Sequence, residues 1–189
     1  MAGGAAGTVN SRRELQMSFE GIEQSGAVDY MLRTTQQHHV QLSLMADQKA
    51  NIMIASTSIL LTFSFANFKQ QNLFWGFLAL FLFSFIALIM AVLAVLPRTG
   101  APAPGEKRNA LFFGDFTAMS SDEYSEVMDE VMQSDANTYQ AVVDDIYALG
   151  SSLKSKKFFY LSLSYKWFLV GIVLAGALFV LQTVLFYFT

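Results

Sequence analysis

The 189-residue chain has no cysteine, which removes disulfides and thiolate metal sites and leaves the redox compartment unreadable. Histidine is almost absent too. His38 and His39 are the only two, and helical neighbours point about 100° apart, so they cannot clasp one ion as an i, i+4 pair does. No H-E-x-x-H, G-x-S-x-G or P-loop spacing occurs, and no His-Asp dipeptide of the kind metal phosphohydrolases use. These absences predict a chain that is not an enzyme and binds no metal or cofactor. Charge is scarce, at 14% of residues, against about a quarter in ordinary soluble domains. The net charge of −3 is too small to point to nucleic acid. No strand-like alternation, repeat or low-complexity tract appears beyond the small residues Met1 to Gly7, which have no apolar region of signal-peptide type.

Apolar residues, in contrast, are abundant at 53%, with 18 phenylalanines. Leu73 to Leu96 has no charge and is mostly Leu, Phe, Ile and Val. At −0.3 to −0.6 kcal/mol for each such residue, insertion into a bilayer gains roughly 5 to 10 kcal/mol. At ~1.5 Å per residue the segment crosses a ~30 Å hydrocarbon layer with room to tilt. Trp75 marks one end; Pro97 and Arg98 close the other. Trp167 to Phe188 is a second uncharged span, approached through Lys154, Lys156, Lys157 and Lys166 and ending near Tyr187. Ala50 to Phe68 is a third, uncharged but interrupted by Asn51, Ser56, Thr57, Ser58, Thr62, Ser64 and Asn67. Only Lys69 to Asn72 separates it from Leu73, so the two spans form an antiparallel hairpin. The expected fold class is all-α: an integral membrane protein with three transmembrane helices and a small cytoplasmic helical bundle.

Basic residues set the orientation. Arg12, Arg13, Arg33 and Lys49 precede the first span, and Arg98, Lys107, Arg108 and the Lys154–Lys166 cluster lie between the second and third. The N-terminus and the central segment are therefore expected in the cytoplasm, and the hairpin tip and C-terminus outside. The chain divides into a flexible segment 1–27, a cytoplasmic helix with the transmembrane hairpin over 28–97, a cytoplasmic loop with helices over 98–166, and the third span 167–189. Thr99 to Gly105, with Pro102 and Pro104, reads as a loop leaving the membrane. Ser120-Ser121-Asp122-Glu123 has the capping-box pattern. Tyr124, Val127, Met128, Val131 and Met132 follow at helical spacing, opposite an acidic face from Asp122 to Glu130. That face lacks a calcium-loop pattern and reads as solvated. Tyr139, Val142, Val143, Ile146, Leu149 and Leu153 continue the periodicity without a strong breaker. One long helix is expected from about Ser134 into the third span, and another from about Val28 straight into the first.

Asp47, Asn51, Ala55, Ser58, Thr62 and Ala66 share one face of the first span. Polar groups in a bilayer must meet protein or water. Two readings stay open: close helix packing through small residues, or a wet path lined by several copies of the stripe. Gly171 and Ala175 form a small-xxx-small pair expected to act as a packing notch.

Three short motifs carry a family resemblance: Ala46-Asp47-Gln48-Lys49-Ala50-Asn51, Asn109-Ala110-Leu111-Phe112-Phe113-Gly114, and Ile146-Tyr147-Ala148-Leu149 before the lysine-rich approach to the last span. In order and spacing the chain from Val28 to Phe188 resembles the Pycsar effector membrane domain, a bacterial family. The resemblance implies a terminal effector of an anti-phage system, acting on the inner membrane after a cyclase makes cyclic CMP or cyclic UMP. It maps candidate ligand residues onto Asp47, Lys49, Asn51, Phe112, Phe113 and Gly114. Lys49 could hold a phosphate, or join Asp47 in ion pairing with neighbouring helices. Phe112 and Phe113 could stack on a base, or wedge the loop onto the bundle. The chain has no phosphohydrolase domain of the His-Asp type and no recognisable cyclic-nucleotide β-roll, which leaves nucleotide binding open. The expected partners are the lipid bilayer, further copies of the chain in a homo-oligomer, and a cyclic nucleotide. The alternative is a non-catalytic scaffold or adaptor that docks a soluble protein through the Tyr124–Met132 helix.

Overall fold

Long sequence without proline becomes long helix. In the computed structural model, which describes residues 25–97 and 109–188, no strand occurs among the described residues. Residues 1–24 and 98–108 lie outside them, as do the expectations placed there. Helix α1 is Gly26–Ala66, one continuous helix of 41 residues, as expected for a helix that begins before the first span and runs into it. Its hydroxyls bond to the preceding turn: Thr57 Oγ1 donates to the Met53 carbonyl at 2.7 Å, Ser58 Oγ to Ile54 at 2.7 Å, Thr62 Oγ1 to Ser58 at 3.0 Å and Ser64 Oγ to Leu60 at 2.6 Å. This back-bonding satisfies each donor inside the helix, so a serine- and threonine-rich segment can sit in hydrocarbon.

At the end of α1, Asn67 Nδ2 donates to the Phe63 carbonyl at 2.8 Å and Gln70 Nε2 to Asn67 Oδ1 at 2.9 Å. A 3-10 turn, Gln71–Leu73, then leads into α2, Phe74–Val95. Leu96, at φ −59° and ψ 122°, has the extended geometry that a following proline imposes, and the helix stops there. Helix α3 is the short turn Phe113–Phe116. Helix α4, Ser121–Met132, begins with both halves of the capping box in place: Glu123 N donates to Ser120 Oγ at 3.2 Å, and Ser120 N to Glu123 Oε2 at 2.9 Å. Helix α5, Asp135–Ser152, continues through a π-helical segment, Leu153–Phe158, into α6, Phe159–Phe188. Gly150 does not break this run.

The chain forms two compact units: a polar one, Met1–Val40 with Pro97–Ser151, and an apolar one, Gln41–Leu96 with Ser152–Thr189. Three helices are long and apolar enough to cross a membrane. In the apolar unit the interior is mostly small residues, with Met53, Phe77, Leu80, Leu153 and Leu161 among them. Ala46, Ala50, Ala87, Ala91, Ala94, Ser164 and Ala175 are buried, while Ile59, Phe65, Leu169 and Val180 are each more than 60% exposed. Small residues inside and large apolar ones outside reverse the order found in water and suit a lipid solvent. The chain is a membrane protein.

The contact between α2 and α6 is the closest. A Cβ on Gly171 would lie 2.5 Å from Phe83 Cβ, and one on Gly76 would collide with the Phe179 ring. Ser164 Oγ donates to the Ala87 carbonyl at 2.7 Å, and Gly76 N donates to Gln182 Oε1 at 3.1 Å. Gly76 is in the first turn of α2, where an N–H has no partner in its own helix. In hydrocarbon that donor must find one elsewhere, and the Gln182 amide supplies it. Helix α1 joins through Ala46 and Ala50, packed with Ala94 and Leu161, and through the Phe63–Phe77 ring contact. Trp75 and Tyr187, at 62% and 80% exposure, flank the end of the unit that holds the Gly76–Gln182 bond, where amphipathic rings favour an interface.

Candidate functional site

The polar unit is organised around two buried carboxylates. Asp145, on α5, accepts from Gln36 Nε2 of α1 at 2.7 Å through one oxygen and from Asn109 Nδ2 at 2.7 Å through the other. Asn109 opens the loop before α3. Its backbone N–H donates to Asp115 Oδ2 at 3.0 Å, and its Oδ1 accepts from Leu111 N at 2.9 Å. The loop is thus closed on itself by Asp115 and tied to α5 by Asp145. Burying a carboxylate is costly unless donors compensate it, and here neutral amides and a backbone N–H do so. Close by in sequence, Tyr139 Oη donates to Asp29 Oδ1 at 2.8 Å. That hydrogen bond to a carboxylate, with burial and the negative charge of Asp29 adding to it, raises the Tyr139 phenol above its ordinary value. Among the described residues, two buried atoms have no partner: His39 Nδ1 and Gln140 Oε1. Gly150 faces the His39 ring, where an added Cβ would stand 3.4 Å from Cε1.

Of the residues mapped by resemblance, Phe112 and Gly114 belong to this unit. Gly114 is buried beneath the Phe112 ring; a Cβ there would stand 2.5 Å from Phe112 Cε1. The ring therefore closes over its own loop. The Phe113 side chain lies outside what is described.

Asp47, Lys49 and Asn51 belong to the apolar unit and differ from one another. Lys157, in the π-helical segment, sends its ammonium to both oxygens of Asp47 at 2.7 Å and to Ser43 Oγ at 2.8 Å. The two charged side chains are 26% and 34% exposed. All three ammonium hydrogens thus have an acceptor, and Asp47 already has its counter-charge. Lys49 and Asn51 are exposed. The six mapped residues are thus divided between the two units.

Asn51, Ala55, Ser58, Thr62 and Ala66 are all exposed in the single chain. The face of α1 turned to the other helices is a different one: Ala46, Ala50, Met53, Thr57 and Ser64. Gly171 and Ala175 are buried on α6, with Gly171 against Phe83. Among the described residues, no group of three His, Asp or Glu could hold a metal ion.

Sequence reasoning missed Asp145, Gln36 and Lys157. Asp145 had a signal, since it flanks the apolar stripe of α5 three residues from Val142 and four from Leu149. Lys157 had none, as nothing separates it from Lys154, Lys156 and Lys166 in the sequence.

Among known families, the model for the Pycsar effector protein domain matches residues 30–183 of this chain. No curated protein and no solved structure matches it.

Proposed function

We propose, from the premise that this chain belongs to the Pycsar effector family and so serves in a Pycsar anti-phage system, that it permeabilises or disrupts the bacterial inner membrane when a cyclic pyrimidine nucleotide, cyclic CMP or cyclic UMP, signals infection. The observation that carries this reading is helix continuity. Both α1 and the run from Asp135 to Phe188 are single helices, of 41 and 54 residues, whose apolar parts continue into polar parts without a break. A rigid helix can pass a displacement from one end to the other. A ligand can drive such a displacement only by its differential affinity for two states. In this reading the N-terminus and the polar unit lie in the cytoplasm and the C-terminus outside. The Asp145 network and the Phe112–Gly114 loop are the sensing element.

Exposure of the Asn51–Ala66 stripe supports a homo-oligomer. Among the described residues nothing covers it; Ser58 and Thr62 bond to their own backbone, and in a bilayer the Asn51 amide takes its partner from another copy or from water. Dye leakage from liposomes carrying the purified chain tests the reading. Leakage that depends on cyclic CMP or cyclic UMP is expected, and no leakage with either nucleotide refutes it. Ser58→Leu separates a wet stripe from a packed one. A wet stripe loses conductance while the oligomer persists; a packed stripe loses the oligomer.

The exposed face of α4 favours a second reading. Its apolar residues Tyr124, Val127, Met128 and Val131 are only half covered, and Met132 is 64% exposed. That is the surface a scaffold or adaptor would offer to a soluble protein. A stoichiometric partner that co-purifies through this helix, with no change in permeability, would establish it instead.

A further inference from the structure

Helix α6 contains one charged residue, Lys166, and register places it deep. Ser164 bonds to the Ala87 carbonyl, so this turn of α6 lies beside the second half of α2, inside its apolar run. From Ala87 the apolar sequence of α2 continues to Leu96, about 13 Å further at ~1.5 Å per residue. Along α6, Lys166 is likewise about 13 Å beyond Lys157, the residue that holds Asp47 at the charged end of the α1 span. A four-carbon stem reaches less than half that distance. Lys166 is exposed and no ion pair or hydrogen bond holds it among the described residues. An ammonium at that depth needs a counter-charge or water.

The same helix face offers a place for one. Lys154, Phe158, Ser162 and Lys166 recur every fourth residue and so stack along one side. With Phe159 and Leu163 they line a groove of about 270 Å3. Lys154 and Lys166 stand at its two ends, both exposed and both without an acidic partner among the described residues, while Lys157 is already engaged by Asp47. The wall between the two ammonium groups is apolar and aromatic, with the Ser162 hydroxyl as the single polar group.

We propose that this groove holds the headgroup of an anionic phospholipid. Its phosphate lies between Lys154 and Lys166 with Ser162 as a donor, and the glycerol and upper acyl chain rest on Phe158, Phe159 and Leu163. Charge complementarity and position select the lipid. The groove opens sideways from an apolar helix, where the anion within reach is a lipid phosphate rather than a soluble one. Because Lys166 lies below the ordinary headgroup level, the bound lipid is drawn inward and the leaflet beside α6 is thinned. The inference requires only that α6 crosses the bilayer. It stands whether or not the chain makes membranes leak.

Native mass spectrometry of the full-length chain in neutral detergent, titrated separately with phosphatidylglycerol and phosphatidylcholine, tests it. Phosphatidylglycerol should bind on the order of tenfold or more tightly, the scale expected of two lysines near an anionic headgroup. The Lys154→Gln, Lys166→Gln double variant should bring it to the phosphatidylcholine level. Lys156 and Lys157 remain in that variant to orient the helix. The corresponding double arginine variant should keep the preference, and Lys156→Gln, exposed but off the groove face, should leave it unchanged. Equal binding of the two lipids would overturn the proposal, and so would an equal loss with Lys156→Gln. Release of the lipid by excess inorganic phosphate or cyclic CMP would mark a soluble-anion site and overturn it too.

Discussion

Replacing Gly171 with alanine should separate α2 from α6. The added Cβ would stand 2.5 Å from Phe83 Cβ, 3.3 Å from its Cγ and 3.7 Å from its Cα. Carbon atoms pack at ~3.5–4.0 Å, so about 1 Å of clearance has to be created. The obstructing atom is a Cβ, fixed to the backbone of α2, and no rotamer change removes it. The helices must move apart, and a gap of ~0.5–1 Å forfeits a quarter to a half of each dispersion contact across it. Overpacking of this kind costs about 1–3 kcal/mol, and alanine's helix propensity returns up to about 1 kcal/mol. A net loss of up to about 2 kcal/mol is expected. Gly176 lies on the same helix with nothing within 4 Å of its Cβ position, so its alanine variant should be neutral or stabilised. Gly76→Ala should fall between, because the obstacle there is the Phe179 ring, which can swing aside. Thermal unfolding in detergent followed by tryptophan fluorescence suits this site. The Trp167 ring lies 5.6 Å from the Phe83 ring and reports on that contact directly. Gly171→Ala as stable as the unaltered chain, or Gly176→Ala as damaging as Gly171→Ala, would refute the reasoning.

Asp47→Ala and Lys157→Met should each destabilise by about 1–2 kcal/mol, the scale of a hydrogen-bonded charge that loses its partner while partly solvated. The double variant should cost clearly less than the two singles together; additive losses in the same unfolding assay would show the pair to be incidental. For Tyr139 the raised phenol value means that folding favours the protonated form. Its contribution is fully present below the ordinary value of 10.0 and is lost as pH rises through the higher folded value. Tyr139→Phe should therefore flatten the alkaline fall in unfolding temperature above about pH 9, and an unchanged slope would count against the Asp29 contact.

Much of the architecture was legible because solvent choice is a property of composition. Leu73–Leu96, Trp167–Phe188 and Ala50–Phe68 carry no charge, and lipid is the one solvent that tolerates so much exposed hydrocarbon. The capping box at Ser120 and the uninterrupted helix after Asp135 were legible as well, since both depend on neighbours a few residues away. The rotation of α1 was not. A polar stripe suggested a face turned to protein, yet within the chain the covered face is Ala46, Ala50, Met53, Thr57 and Ser64. Ser58 and Thr62 are satisfied by their own backbone, so they do not dictate which side meets α2 and α6. Closeness of backbone approach does, and that depends on the facing surface of another helix.

The functional residues divide along the same line. The sequence by itself determined the solvent, the number of spans, the absence of known catalytic spacings and the motifs that mark the family. Only the tertiary structure decided that Lys157 rather than Lys49 meets Asp47, that Gln36 and Asn109 converge on Asp145, and that Lys166 sits about level with Ala87 of α2. Hydropathy is summed along a chain and survives unfolding, whereas a hydrogen-bond partner or a depth in the bilayer exists only once helices distant in sequence are fixed in register.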